Sequence, residues 1–565
     1  MFESSSQPNA LSGAGGGGLS LRFWALAVVT GVGAGIGAGL LMKLLRLVQH
    51  VAWSYWSGEF ITAVTQASWQ RRILVLVLAG LVAAAGRYLI ASEPGGHAGE
   101  LAEALWFRKG QLPFVRSISR AMLSMVIVGL GTSLGREAGA KLTGGAIAST
   151  LARLSELSSV ERRLLVACGA GAGMGAVYNV PFGGALFALE VLLGTLALPL
   201  IPAAFLCSFI ATCASWLLVP DKATYVVPAY EFSAGQLVWA VFAGPLCGLA
   251  GALYVVAISW ADALKPKGWP VLVTPVAVLT ALGAIASVYP QLLGNGKGVA
   301  QQAFSGELGL ALIVPLLLLK PCITAACLGS GAPGGLFTPT LTFGALLGAL
   351  LGALWSLLWP GTPLGSYALI GAGAMLAAAM QSPIAAIVLV LELAPGIHGL
   401  ILPLMLAVGG AALVQRLIEA RSIYSGRIHA GRMLAEPVEK APDVNFRWPV
   451  CGDYDVISAA ATYTEVLRAL GLAEREGKPL YVVAEEGDLV GFIPPSVMQH
   501  KLTAPLAIST AADLAQKIEP VVASMDEEAV RRMLQTSDAP ELPVVEANTT
   551  RLVGVVRQDT SAPPR

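Results

Sequence analysis

Apolar residues run through the chain in long stretches from Leu21 to about residue 420, separated by short polar or glycine-rich breaks. The runs include FWALAVVTGVGAGIGAGLLM, ILVLVLAGLVAAAG, LIVPLLLL and FGALLGALLGALWSLLW. A helix needs roughly 20 apolar residues to cross a bilayer, and several runs reach that length. Others stop short or are broken by Gly and Pro, which predicts partial or tilted spans. Residues 1–21 are polar and Gly/Ser-rich, a composition that predicts a disordered tail. The apolar run that follows is too long for a signal-peptide core and reads as the first membrane helix.

From about Arg432 the pattern changes. Two pieces echo each other, PLYVVAEEGDLVGFI (479–493) and ELPVVEANTTRLVGVV (541–556). Each is a β-branched strand, a polar turn and a second strand opened by Leu-Val-Gly. Helix-like stretches with apolar residues at helical spacing precede both, YTEVLRALGLAERE and MDEEAVRRMLQ. This tail resembles a tandem pair of cystathionine-β-synthase (CBS) domains, over 431–565. The resemblance implies a cytoplasmic regulatory or dimerising cap, of a kind that binds adenine nucleotides in related proteins. After Gly554, however, Thr/Ser and Asp do not fall at that family's usual offsets.

Composition sharpens the class. Of 565 residues 55% are hydrophobic and 13% charged, and the mean hydropathy is +0.69, against about 25% charged in soluble chains. The chain is therefore a polytopic membrane protein. A net charge of +1 argues against nucleic acid as the main partner, since binding it needs a concentrated basic surface. Seven cysteines form no CxxC pair, so neither a disulfide framework nor a zinc site is expected. No metal or organic cofactor is otherwise indicated.

The membrane part is itself a repeat. GAGAGMGAVYNVPFGGALFALE (169–190) matches GAGAMLAAAMQSPIAAIVLVLE (371–392) at a constant offset of 202 with no gap. Near the same offset, GLGTSLGREAGAKLTGG (129–145) falls on GSGAPGGLFTPTL (329–341), with Gly135 on Gly335 and Glu137 on Phe337. The halves are roughly 22–220 and 235–430 of a membrane domain over 22–430. Gly/Pro-interrupted segments at matching points of two halves predict broken helices whose N-termini meet near the midplane. Such N-termini present bare N–H groups and partial positive charge to an anion. Glycines let that backbone come close. The expected fold is an all-α polytopic membrane protein of two inverted repeats around a midplane anion site, followed by the α/β CBS pair.

GREAG, GSGAPGGLFTP and the RSIYSG that closes the last apolar segment resemble the three signature regions of the CLC family of chloride channels and proton/chloride exchangers. The resemblance covers nearly the whole chain. It implies a gate at Glu137, a carboxylate that occupies the outer anion position and swings away when protonated or displaced. It implies anion binding by Gly96, Gly135, Arg136, Gly335, Leu336, Phe337 and Tyr424, with the amides of Leu336 and Phe337 on a central chloride and the Tyr424 hydroxyl at the inner end. It further implies a homodimer in the cell's inner membrane, with chloride or a similar small anion as cargo and the tail in the cytoplasm. Three departures stand out. Ala138-Gly139 replaces the usual Gly-Pro, and Gly96 replaces a chloride-contacting Ser. Val191 stands where exchangers carry an inner glutamate. Valine relays no proton, so the expectation leans to a voltage-gated chloride channel, with a proton-coupled chloride antiporter as the alternative.

Other readings compete at single residues. Glu137 could pair with Arg136 or Lys141, and Tyr424 could be an interfacial aromatic. Glu190 and Glu392 occupy equivalent repeat positions, which favours a structural role. Lys320 is expected to snorkel or to be neutralised by a neighbour. GNGKG (294–298) reads as a turn. GTSLG (131–135) satisfies a GxSxG pattern, so an intramembrane serine hydrolase is a remote alternative, although that elbow needs a strand-to-helix turn and a histidine. A membrane sensor that signals through its tail without conducting is a further rival. The expectation is that the chain is not an enzyme.

Overall fold

The computed structural model describes residues 19–91, 101–427 and, discontinuously, 454–557. The sequence-predicted disordered tail is described only from Leu19, and Gly96 falls outside the described residues. The first half comprises α1 (Leu21–Trp53), α2 (Phe60–Gln66), α3 (Trp69–Ala91), α4 (Leu101–Phe107), α5 (Phe114–Gly129), α6 (Glu137–Leu154), α7 (Ser159–Tyr178), α8 (Pro181–Leu186) and α9 (Ile201–Ser215). The second comprises α10 (Ala234–Ala263), α11 (Pro270–Ile285), α12 (Lys297–Phe304), α13 (Leu310–Gly329), α14 (Phe337–Trp355), α15 (Leu364–Met380), α16 (Pro383–Leu393) and α17 (Ile401–Leu417). Among the described residues, seven helices are long and apolar enough to cross a membrane.

α1 starts where the chain can satisfy its first amides: the Ser20 hydroxyl accepts from the Phe23 N–H and donates to Glu161 at the head of α7. The helical tail boundary thus lies at Leu21. The N–H groups of a first turn have no partner within the helix, and Ser20 answers one of them.

The repeat is visible in the element boundaries. α6 and α14 begin 200 residues apart, as do α9 and α17, and α8 and α16 begin at equivalent prolines, Pro181 and Pro383. Proline suits a first helical turn because it has no N–H to leave unpaired. Gly131 and Gly331, just before the two short-loop crossings, both adopt the left-handed region (φ 105° and 91°). A side chain there would be strained. At the centre the loops meet: Gly135 N–H donates to the Gly335 carbonyl at 2.6 Å and Gly335 N–H returns a bond to Gly135 at 2.8 Å. The 200-residue correspondence read from the sequence is a physical contact between the halves.

The Gly-rich α7 packs at backbone distance. A Cβ at Gly169, Gly171 or Gly173 would run into the backbone of Gly144, Gly184 or Ala140. Close approach of this kind is how helices associate where no water drives them together.

Glu190 and Glu392 have their structural role. After α8 the chain continues as a π-helix, Phe187–Leu193, closed by Gly194. From it the Glu190 carboxylate accepts from the Ile384 and Ala385 amides of α16 at 3.2 and 2.5 Å. Glu392 of α16 accepts from the Phe182 and Gly183 amides of α8 at 3.1 and 2.6 Å. Each half thereby caps a helix of the other. Lys320 departs from expectation. It does not snorkel, and among the described residues no acid pairs with it; 1% exposed, its ammonium donates to the carbonyls of Leu292 and Gly294 at 2.9 and 2.8 Å. It pins the GNGKG turn, whose Gly294 N–H bonds the Gly131 carbonyl.

In the tail, both echoing stretches are antiparallel hairpins. β1 (Asp455–Ser458) pairs in parallel with β2 (Leu480–Val483), which pairs antiparallel with β3 (Leu489–Ile493). β4 (Val521–Val522), β5 (Glu541–Val545) and β6 (Leu552–Arg557) repeat that topology. The second helix-like stretch is a helix over Glu527–Thr536, and the first lies largely outside the described residues. Arg163 of α7, 2% exposed, pairs with Asp513, whose carboxylate also accepts from the Thr510 N–H and hydroxyl.

Candidate functional site

Glu137 opens α6, so its side chain leaves the backbone beside the Gly135–Gly335 contact. It is fully buried. Its carboxylate accepts from the Phe337 N–H at 2.7 Å and from the Tyr178 hydroxyl at 2.9 Å. Phe337 is the first residue of α14, so a carboxylate from one half sits on the N-terminus of a helix from the other. That is where unpaired N–H groups and the helix dipole favour negative charge. A Cβ at Gly135 or at Gly335 would collide with the carboxylate oxygens. The two glycines and the α14 N-terminus form a cradle sized for a small anion, and the Glu137 carboxylate stands in it.

Neither Arg136 nor Lys141 pairs with Glu137. The Arg136 guanidinium lies over the Tyr178 ring, 4.8 Å from its centroid. The Lys141 ammonium donates to the Tyr424 hydroxyl at 3.2 Å. Tyr178 itself is 2% exposed and shares its hydroxyl with Thr338 at 2.6 Å. The sequence reading missed both Tyr178 and Thr338. Tyr178 stands in the repeat segment AVYNVP, immediately before the Asn179 turn, and a polar aromatic in an apolar glycine helix was the available signal.

Two cavities approach the cradle. One, on the side of the tail, has a volume of about 130 Å³ and is lined by Lys141, Gly335, Leu336, Phe337 and Tyr424 among others. The other, of about 400 Å³, is lined by Arg46, His50, Glu59, Arg136 and Lys297 among others. The residue before Glu137 faces the second and the residues after it face the first. Of the sequence-predicted residues, Gly135, Glu137, Gly335 and Phe337 meet in the cradle. Leu336 and Tyr424 lie on the tail-side cavity, and Arg136 lies on the far one. Val191 is buried within the π-helix. Among the described residues there is no cluster of His, Cys, Asp and Glu suited to a metal. Ser133 of the GxSxG pattern meets Thr324, and Ser330 donates to the Cys327 carbonyl; among the described residues neither meets a histidine.

A family model described as voltage gated chloride channel matches residues 74–416, more than half of the chain. The chain belongs to that family. This CLC protein is 30% identical over 416 residues to the voltage-gated ClC-type chloride channel ClcB of Escherichia coli, covering 71% of this chain and 97% of ClcB. Two solved structures share its fold at 20% identity. A slow cyanobacterial Cl⁻/H⁺ antiporter covers 74% of this chain and 99% of its own, with a TM-score of 0.65. A CLC-type fluoride/proton antiporter covers 72% and 97%, with a TM-score of 0.59. The CLC protein is thus a multi-pass membrane transport protein and not an enzyme.

Proposed function

We propose that this CLC protein conducts chloride passively through a pathway gated by Glu137, with weak or no proton coupling. One observation carries the gate. A carboxylate occupies a backbone cradle built for an anion, with cavities on both sides, so a permeating chloride and the Glu137 carboxylate compete for one place. Movement of the side chain out of the cradle, by protonation or displacement, opens the route. On this reading Gly135, Gly335 and the Leu336 and Phe337 amides bind the anion. Tyr424 closes the tail-side end, Arg136 draws anions into the far cavity, and Gly96 contributes from the segment after α3.

The channel reading rests on Val191. An exchanger needs a titratable relay between the tail side and Glu137, and Val191 has none. Its neighbour Glu190 is committed to the α16 amides. The tail is read as a CBS pair in the cytoplasm, in an inner-membrane homodimer, and the topology of its two matched sheets supports that reading. Adenine nucleotide is not required for conduction. The deciding experiment imposes a chloride gradient on proteoliposomes, clamps voltage with a potassium ionophore and follows external pH. Chloride flux without proton movement is expected. Protons driven uphill by the chloride gradient would make the protein an antiporter, and absence of chloride flux would leave only the sensor reading.

A further inference from the structure

Lys141 lines the tail-side cavity close to the cradle. Lys141 lies one helical turn beyond Glu137 on α6, on the same face, since residues four apart stack along a helix. It is only 8% exposed. Its ammonium sits 4.8 Å from the Phe187 ring centroid and 5.4 Å from that of Tyr424, and it donates to the Tyr424 hydroxyl. Among the described residues no carboxylate lies within ion-pair distance of it. By contrast, Lys265 and Arg427, which line the same cavity, both pair with Asp262.

From this arrangement the geometry points to Lys141 as a direct ligand of the permeating anion on the tail side of the cradle, and so as a residue that sets anion affinity. The inference rests on the conduction reading given above. A buried ammonium without a counter-ion is costly unless something supplies negative charge. The two ring faces offer part of it, at about 0.5–2 kcal/mol each. The cavity beside it, which also reaches the Gly335–Phe337 backbone, has room for the rest in the form of an anion.

A lysine ammonium has three donors and no acceptor, so in its bond with Tyr424 the hydroxyl oxygen must accept. The Tyr424 O–H is then left free to donate elsewhere. Lys141 therefore offers its own remaining N–H groups and also frees the tyrosine proton, giving a paired donor set one turn below the cradle. A mobile chloride needs sites of moderate strength in sequence, since an ion bound too tightly does not leave. The ring contacts, which already hold part of the ammonium's field, keep this site within that range.

The test measures chloride binding to the purified full-length protein by calorimetry, alongside chloride efflux from proteoliposomes. Lys141→Met is expected to weaken chloride binding at least tenfold and to move half-saturation of flux to higher chloride by a similar factor. Lys141→Arg is expected to stay within about threefold of wild type, and Tyr424→Phe to weaken binding less than Lys141→Met. Lys141→Gln keeps a polar side chain without the charge, and it decides the question where the Met variant does not purify as a monodisperse protein. Wild-type affinity in either neutral variant overturns the assignment. Lack of chloride efflux from the wild type would instead overturn the conduction reading, so the two failures are distinguishable.

Discussion

Replacing Glu137 with alanine should tighten chloride binding, and the size of the effect follows from the contacts. In the resting arrangement the carboxylate holds the cradle through two charge-assisted hydrogen bonds, from the Phe337 amide and the Tyr178 hydroxyl. Bonds of that kind contribute about 1.5–3 kcal/mol each. A carboxylate swung into either cavity recovers part of this from water, which leaves about 1.5–3 kcal/mol in favour of the occupied cradle. At about 1.4 kcal/mol per factor of ten, the cradle is then free only about 1–10% of the time. A ligand that needs a minor state binds more weakly by the fraction populated. Removing the tethered competitor should therefore lower the apparent chloride dissociation constant roughly 10- to 100-fold. Calorimetric titration of detergent-solubilised protein with chloride, counter-titrated with gluconate salts, measures it directly. Unchanged or weaker chloride affinity in a well-folded Glu137→Ala protein would show that carboxylate and chloride do not share the cradle.

Four further outcomes are expected. Glu137→Gln should make chloride efflux from proteoliposomes independent of external pH, whereas acid should raise wild-type flux; a full wild-type pH response in the variant would remove Glu137 as the gate. Glu190→Gln and Glu392→Gln should each lose about 1–2 kcal/mol of capping, seen as a lower melting temperature with chloride flux retained, and loss of flux at native stability would assign these acids to conduction. Asp513→Asn should destabilise the contact with the tail by about 3 kcal/mol, the usual scale for breaking a buried pair, seen as faster proteolytic release of the tail. Burial raises the Asp513 carboxyl, but the Arg163 guanidinium and the Thr510 hydrogen bonds outweigh it and hold it below the ordinary carboxylate range. The contribution of that contact is therefore fully present above about pH 4 and is lost only as pH falls lower, so protease resistance should be level between pH 7 and 5. Truncation after Arg432 should leave a membrane domain that still conducts, and loss of efflux from an inserted, folded truncation would place the tail in the transport machinery.

Much of this was legible in the chain because the repeat is written locally. A constant offset brings Glu190 and Glu392 to equivalent places, and the structure shows why: each caps a helix in the opposite half. Glu137 was conspicuous as a carboxylate among glycines at a helix start. What the chain hides is pairing across distance. Tyr178 reaches Glu137 across 41 residues, Phe337 reaches it across 200, and Lys141 reaches Tyr424 across 283. No local pattern marks such partners. Lys320 misled for a related reason. Lysine in an apolar run ordinarily reaches for water, and only the packed fold brings two free carbonyls within its reach. The irregular turn after Pro181 was also invisible, because a π-helix has no distinctive residue pattern; such turns concentrate at functional sites.

α7 is anchored at both ends to things that matter. Near its start Arg163 grips Asp513 of the tail, and its last residue, Tyr178, holds the Glu137 carboxylate. The fifteen steps from Arg163 to Tyr178 span about 22 Å at 1.5 Å per residue, without a proline, and glycine contacts with α6 and α8 leave the helix no space to bow sideways. Such an element behaves as a push-rod. An axial displacement of 1 Å, imposed at the tail, would arrive nearly undiminished at the tyrosine hydroxyl. There a 2.9 Å hydrogen bond stretched by about that much is no longer a bond. The grip on the carboxylate is thus set with sub-ångström tolerance by a rod whose other end is held outside the membrane domain.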